Sequence, residues 1–181
     1  MKHVALGLAL AAVTAVSAHA ALKPGAAAPD FNANGFKAGK PITFSLAQAR
    51  KAGPVVVYFF PAAETKGCNL EARMFAEAID KFAAEGASVI GVTSGNLDRL
   101  ASFSADTEKC SGKFPVAADP GAKIAKSYDA AMPMRPGWSN RTSYVIAPNG
   151  RVIHAYSDLS ADQHVSQTLS AVRAWRAKQP R

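Results

Sequence analysis

The stretch YFFPAAETKGCNLEARM, Tyr58 to Met74, decides how this chain folds, because it sets one cysteine between an apolar strand and a helix. Val55, Val56 and Val57 lead into it, and the run through Phe60 is β-branched or aromatic without a polar break. That pattern predicts a strand covered on both faces. Pro61 stops the ladder. Beyond it Thr65 is placed to cap a helix, in which Leu70, Met74, Phe75, Ala78, Ile79 and Phe82 recur at helical spacing. Cys68 then falls in the first helical turn, facing unpaired backbone N–H groups and the positive end of the helix dipole, which favour thiolate over thiol.

Outward from this unit the chain alternates strands with helices. The helix runs out at Gly86, and Ser88 to Thr93 returns as a second buried strand. Leu97, Leu100, Ala101 and Phe103 begin another helix, which weakens between Thr107 and Gly112 and puts Cys110 near a helix end or in a loop. Phe114 to Asp119 predicts a short strand, and Pro120-Gly121 a turn into a helix holding Ile124, Ala125 and Tyr128. Ala131 to Trp138 is irregular and expected to be exposed. Thr142 to Ala147 and Val152 to Tyr156 flank Pro148-Asn149-Gly150, a hairpin signal. Ala161 to Lys178 closes the chain as a helix with Val165, Leu169, Val172 and Trp175 on one face. Upstream, Pro41 to Leu46 alternates as a short strand and Ala47 to Lys51 as a turn of helix, whereas Ala21 to Asn34 suggests a weakly ordered lead-in with Phe31 docked on the core. This order describes a three-layer α/β sandwich around a mixed sheet.

Residues 1–20 carry the marks of a secretory signal: Lys2, an apolar core from Val4 to Val16, and the small-x-small site Ala18-His19-Ala20. The apolar run is shorter than the roughly 20 residues a bilayer demands. The expectation is therefore an exported, periplasmic domain over residues 21–181, without stable membrane association. The net charge of +8 invites a nucleic-acid partner, but Lys and Arg are scattered apart from Arg173, Arg176, Lys178 and Arg181, where cations complement a helix end. A solvated face explains them. Outside the leader only His154 and His164 join the two cysteines, with no metal-ligand spacing and no phosphate-binding glycine loop. Neither metal nor cofactor is expected. Two cysteines in an exported chain also suit a structural disulfide, worth about 4 kcal/mol for a loop of this length.

The string Pro61-x-x-x-Thr65-x-x-Cys68 followed by Glu71 resembles the active-site signature of the peroxiredoxins. LKPGAAAPDF upstream is similar to that family's opening segment, and Asn140-Arg141-Thr142-Ser143-Tyr144-Val145-Ile146 to its arginine-bearing strand. The pair Cys68 and Cys110 most resembles the PrxQ, or bacterioferritin comigratory protein, branch. The resemblance implies the thioredoxin fold and a thiol peroxidase. Cys68 is then the nucleophile, Thr65 and Arg141 polarise the peroxide, Pro61 shields the site, Glu71 orients Arg141, and Cys110 resolves the sulfenic acid as an intramolecular disulfide. It further implies a dithiol reductant of the thioredoxin type. A monomer or weak dimer is expected.

Each role has a plainer counterpart. Thr65 can be only a cap, Glu71 only an acid favoured by the dipole, and Arg141 an exposed arginine no more distinguished than Arg135 or Arg151 without the resemblance. Two other classes remain: a thioredoxin-like thiol-disulfide oxidoreductase, opposed by Glu71 at the place of a second cysteine, and an exported binding module stapled by a disulfide.

Overall fold

The computed structural model describes residues 21–180; the expected leader, 1–20, and Arg181 lie outside them. The strands are β1 (Asn32–Lys37), β2 (Lys40–Ser45), β3 (Val55–Ala62), β4 (Ser88–Gly95), β5 (Val116–Ala118), β6 (Thr142–Ile146) and β7 (Val152–Ser157). The helices are α1 (Leu46–Ala49), α2 (Lys66–Ala84), α3 (Leu100–Ala105), α4 (Lys123–Ser127) and α5 (His164–Arg176). All seven strands form one sheet in the order β2-β1-β5-β4-β3-β6-β7. β3, β4 and β5 run parallel, and the flanking pairs are antiparallel.

The unbroken apolar run of β3 follows from its central place. Val56, Tyr58 and Phe60 pack under α2, α3 and α5 with Phe75, Phe82, Phe103 and Val172. Val55, Val57 and Phe59 face the other way, onto Leu46, Ala125 and Tyr128. The expected three-layer, thioredoxin-like α/β sandwich is the observed architecture. Among the described residues, no helix is long and apolar enough to cross a membrane.

Four expectations need correction. Pro61 does not stop the ladder: β3 runs through it to Ala62, which stands opposite Gly95 of β4. The lead-in is not loose: Gly25 and Ala28 donate backbone hydrogen bonds to Val152 and Gly150, and Asn32–Lys37 is a strand. β1 lacks β-branched residues, and its place comes from tertiary pairing with β2 and β5. A Cβ at Gly35 would stand 2.1 Å from the Val116 carbonyl oxygen, so the approach of β1 to β5 requires glycine there. Leu70 is not part of the buried stripe of α2 but 47% exposed, because Cys68 and Glu71 hold the inward positions of the first turns. α5 begins at His164 rather than Ala161, and its buried face carries His164 and Thr168 beside Leu169 and Val172.

Candidate active site

β3 ends at Pro61 and Ala62, and the chain crosses Glu64, at φ 64°, into the extended Thr65 that precedes α2. Thr65 occupies the capping position, yet its hydroxyl does not cap. It donates instead to the Ala62 carbonyl at 3.0 Å, while the backbone N–H of Asn69 bonds the Thr65 carbonyl at 2.8 Å. The sequence assigned the right residue and the wrong hydrogen bond. Cys68 lies in the first turn of α2 and is 1% exposed.

Sheet register explains how Arg141 reaches it. β6 runs antiparallel to β3 with Tyr58 opposite Ser143 and Phe59 opposite Thr142, so Arg141 falls one step further, at the Pro61 end of the sheet. Alternation turns Arg141, Ser143 and Val145 to the α2 side. There the guanidinium is bound on three edges. Nη2 lies 3.5 Å from Cys68 Sγ, Nη1 donates to Glu71 Oε2, and Nε donates to the Leu159 carbonyl at 2.9 Å. Arg141 is only 5% exposed, unlike the exposed Arg135 and Arg151.

Glu71 follows Cys68 by one turn on the same face and has no exposed surface. Burial pushes its carboxyl up to about 8, against the opposing charge and hydrogen bond of Arg141. Arg141 itself is raised: burial lowers it, but Glu71 and then Cys68 more than compensate.

Cys110 sits in the turns after α3, wholly buried in the same apolar cluster as Cys68. Neither cysteine is in a disulfide. Burial moves the Cys110 thiol far above its ordinary value, with the charges of Asp106 and Glu64 adding to the shift and Lys109 opposing it. In this conformation it is a protonated thiol. Among the described residues no group of three or more His, Cys, Asp or Glu side chains could hold a metal.

Two contributors escaped the sequence. A Cβ at Gly67 would come within 3.1 Å of Arg141 Nη2, so the guanidinium rests against the bare backbone beside the thiol. His164 is fully buried, with Nδ1 2.8 Å from Ser143 Oγ and 3.6 Å from Glu71 Oε1, and Nε2 3.0 Å from the Asp158 carbonyl. In the sequence His164 stands only as one of two histidines without metal-ligand spacing; its recurrence with Thr168 and Val172 at helical spacing is the signal that places it on the buried face of α5.

The model of the AhpC/TSA family matches residues 24–155. Peroxiredoxin Q of Arabidopsis thaliana is 33% identical over 156 residues, covering 86% of this chain and 69% of that protein. A chloroplastic peroxiredoxin Q of Oryza sativa subsp. japonica is 32% identical over 151 residues, covering 83% of this chain and 66% of its own length, so the match spans about two thirds of such relatives. Among solved structures, peroxidoxin BcpB from Mycobacterium tuberculosis superimposes with a TM-score of 0.72 at 28% identity, over 84% of this chain and 97% of that one. The reduced 2-Cys peroxiredoxin of Plasmodium vivax reaches 0.74 at 21% identity, over 85% and 96%, a likeness of fold. With its sheet order, buried thiol and family match in agreement, the chain belongs to the AhpC/TSA family and carries the fold of the peroxiredoxins.

Proposed function

We propose that this protein is a thiol peroxidase that reduces hydrogen peroxide and small organic hydroperoxides through Cys68. The observation that carries the reading is the 3.5 Å approach of Arg141 Nη2 to Cys68 Sγ, with the guanidinium held from behind by Glu71 and Leu159. A fixed cation beside a sulfur at a helix start stabilises the thiolate and, during attack, the negative charge that passes to the departing oxygen. The thiolate bonds to the terminal oxygen, the O–O bond breaks, and the alkoxide or hydroxide leaves with a proton from the medium. Cys68 becomes a sulfenic acid. The Thr65 hydroxyl spends its own proton on the Ala62 carbonyl, so its lone pairs are free to accept a hydrogen bond from the peroxide O–H. Pro61, half-buried and without an N–H, lines the approach.

Cys110 then attacks the sulfenic acid, giving a Cys68–Cys110 disulfide and water, and an external dithiol of the thioredoxin type restores both thiols. Two buried cysteines, one with a strongly disfavoured thiolate, cannot do this in place. The start of α2 or the turns around Cys110 must open first. The leader at 1–20 supports export to the periplasm, and the chain works as a monomer or weak dimer without nucleic acid. Stopped-flow mixing of the reduced protein with hydrogen peroxide, followed by trapping of the Cys68 sulfur, tests the reading. Rapid oxidation that Cys68→Ser abolishes is expected, and an inert Cys68 would refute it.

A further inference from the structure

Behind Arg141 lies a second buried pair that the peroxide chemistry leaves unexplained. His164 Nε2 is 3.0 Å from the Asp158 carbonyl, which can only accept, so Nε2 carries a hydrogen. Burial lowers the affinity of His164 for a second proton, so Nδ1 is a bare acceptor, served by Ser143 Oγ at 2.8 Å. Across from it, Glu71 Oε1 is buried and has no hydrogen-bond partner among the described residues, at 3.6 Å from Nδ1. Two acceptors thus face each other 3.6 Å apart, both without exposed surface. An orphaned carboxylate oxygen costs about 1–3 kcal/mol or more. One proton, on either atom, removes the conflict.

We infer that Glu71 and His164 together hold a single proton in this slot, and that its presence decides how much of the Arg141 charge reaches the Cys68 sulfur. With the slot filled, the pair is neutral and the guanidinium is opposed by the sulfur alone. With the slot empty, Glu71 carries a full charge and takes its share of the cation. The coupling is reciprocal: a negative sulfur raises the proton affinity of the slot as much as an empty slot disfavours the negative sulfur.

Among the described residues, these other groups face the pair. From β3 comes Tyr58, whose buried hydroxyl lacks a partner and whose ionisation burial opposes. From β6 come Arg141 and Ser143, and from β7 the ring of Tyr156, edge-on to His164 at 4.9 Å. The segment before α5 adds Asp158, which favours protonation of His164, whereas Arg141 disfavours it. None of these offers Glu71 Oε1 a hydrogen bond.

This inference rests on Cys68 being the ionised thiol of the proposed peroxidase, and the test separates the two. The full protein labelled with 15N-histidine is titrated across about pH 5 to 10, with His164 assigned through His164→Gln. Its Nδ1 resonance is expected to move in one step near the value of about 8 to which burial carries Glu71. Glu71→Gln should abolish the step. Should that variant fail to fold, Ser143→Ala keeps both members of the slot but removes the competing hydroxyl, and should move the step to higher pH. Cys68→Ser, which deletes the negative sulfur, should lower it by about one pH unit. A flat Nδ1 resonance, a step that survives Glu71→Gln, or an unmoved or lowered step in Ser143→Ala overturns the slot. A step indifferent to Cys68→Ser overturns its coupling to the sulfur. Peroxide reduction, assayed separately, can fail without touching the first result, and then the peroxidase reading falls while the slot stands.

Discussion

Glu71 and Arg141, 70 positions apart in the chain, meet as a buried ion pair, and the same guanidinium touches the sulfur of Cys68. Breaking such a pair from one side leaves an uncompensated buried charge, at a cost of about 3–5 kcal/mol. Arg141→Met removes the cation, but Glu71, already pushed up to about 8 with Arg141 present, holds its proton at neutral pH and so blunts that loss. The chemistry has no such relief. Oxidation of Cys68 by hydrogen peroxide should slow by about 10²–10³-fold, as for removal of one charge-stabilising donor. Arg141→Lys should recover little, since one ammonium cannot serve the sulfur, the carboxylate and the Leu159 carbonyl together. Stopped-flow oxidation of the two variants measures both effects.

The pH dependence of stability follows from the same residue. Glu71 is raised from 4.5 to about 8 in the folded state, so its contribution is fully present below about 4.5 and is lost as pH rises through about 8. Each unit of displacement corresponds to about 1.4 kcal/mol, a few kcal/mol in all. His164 acts in the opposite sense: its affinity is lowered from 6.5, so its contribution is present above that value and is lost as pH falls. Thermal unfolding should therefore show declining stability toward alkaline pH, and Glu71→Gln should flatten that limb. A limb of unchanged slope in the variant would assign it to another group.

How much of this was legible in the sequence depends on whether a feature was local. The β3 run, the Thr65-to-Cys68 spacing and the Pro148-Asn149-Gly150 hairpin are written in neighbouring residues, and they stand where expected, save that β3 continues through Pro61 to Ala62. β1 was missed because NANGFK has no strand propensity of its own and is held by its partners on both sides. The Thr65 hydrogen bond was misassigned because a capping residue is recognised by type, whereas its rotamer answers to the Ala62 carbonyl. Arg141 stood out only through resemblance, and His164 not at all. Both reach the site through strand register and helix docking, which no short window contains.

Gly67 offers a finer test of the guanidinium's position. An added Cβ would lie 3.1 Å from Arg141 Nη2 and 4.0 Å from Cζ, close enough to displace the group by a few tenths of an ångström. Alanine suits a helix better than glycine by up to about 1 kcal/mol. Gly67→Ala should therefore leave the melting temperature unchanged or raised, yet slow Cys68 oxidation several-fold, because small misplacements of a charge-stabilising group are felt in rate. Equal rates in the two proteins would mean that the guanidinium has slack there.

Removal of Cys110 should stop the cycle at a defined stage. In Cys110→Ser, Cys68 has no internal thiol to receive its sulfenic acid, which should accumulate and be trapped by a dione reagent. Non-reducing peptide mapping of the peroxide-treated wild type should show Cys68 linked to Cys110, and dithiol-driven turnover should collapse in the variant. Turnover that persists would place resolution on an external thiol.

The opening step before that disulfide has a visible restraint. Lys109, next to Cys110, reaches Glu64 at 2.5 Å and Asp106 at 2.8 Å, and Arg73 of α2 reaches Glu108 at 2.8 Å. The Lys109–Glu64 and Arg73–Glu108 contacts tie the Cys110 turns to the two sides of the Cys68 turn, so opening either segment breaks them, whereas Lys109–Asp106 lies within the Cys110 turns. Lys109 and Glu64 are partly exposed, at 14% and 30%, and such pairs contribute about 0–1 kcal/mol. Lys109→Ala should therefore speed disulfide formation by up to about fivefold while leaving the first oxidation step unaltered. Salt offers an independent check, because screening weakens the same contacts. Raising ionic strength should accelerate disulfide formation in the wild type and have less effect in Lys109→Ala, as followed by quenched-flow alkylation. Identical salt responses in the two proteins would mean that the opening lies elsewhere, at the start of α2 itself.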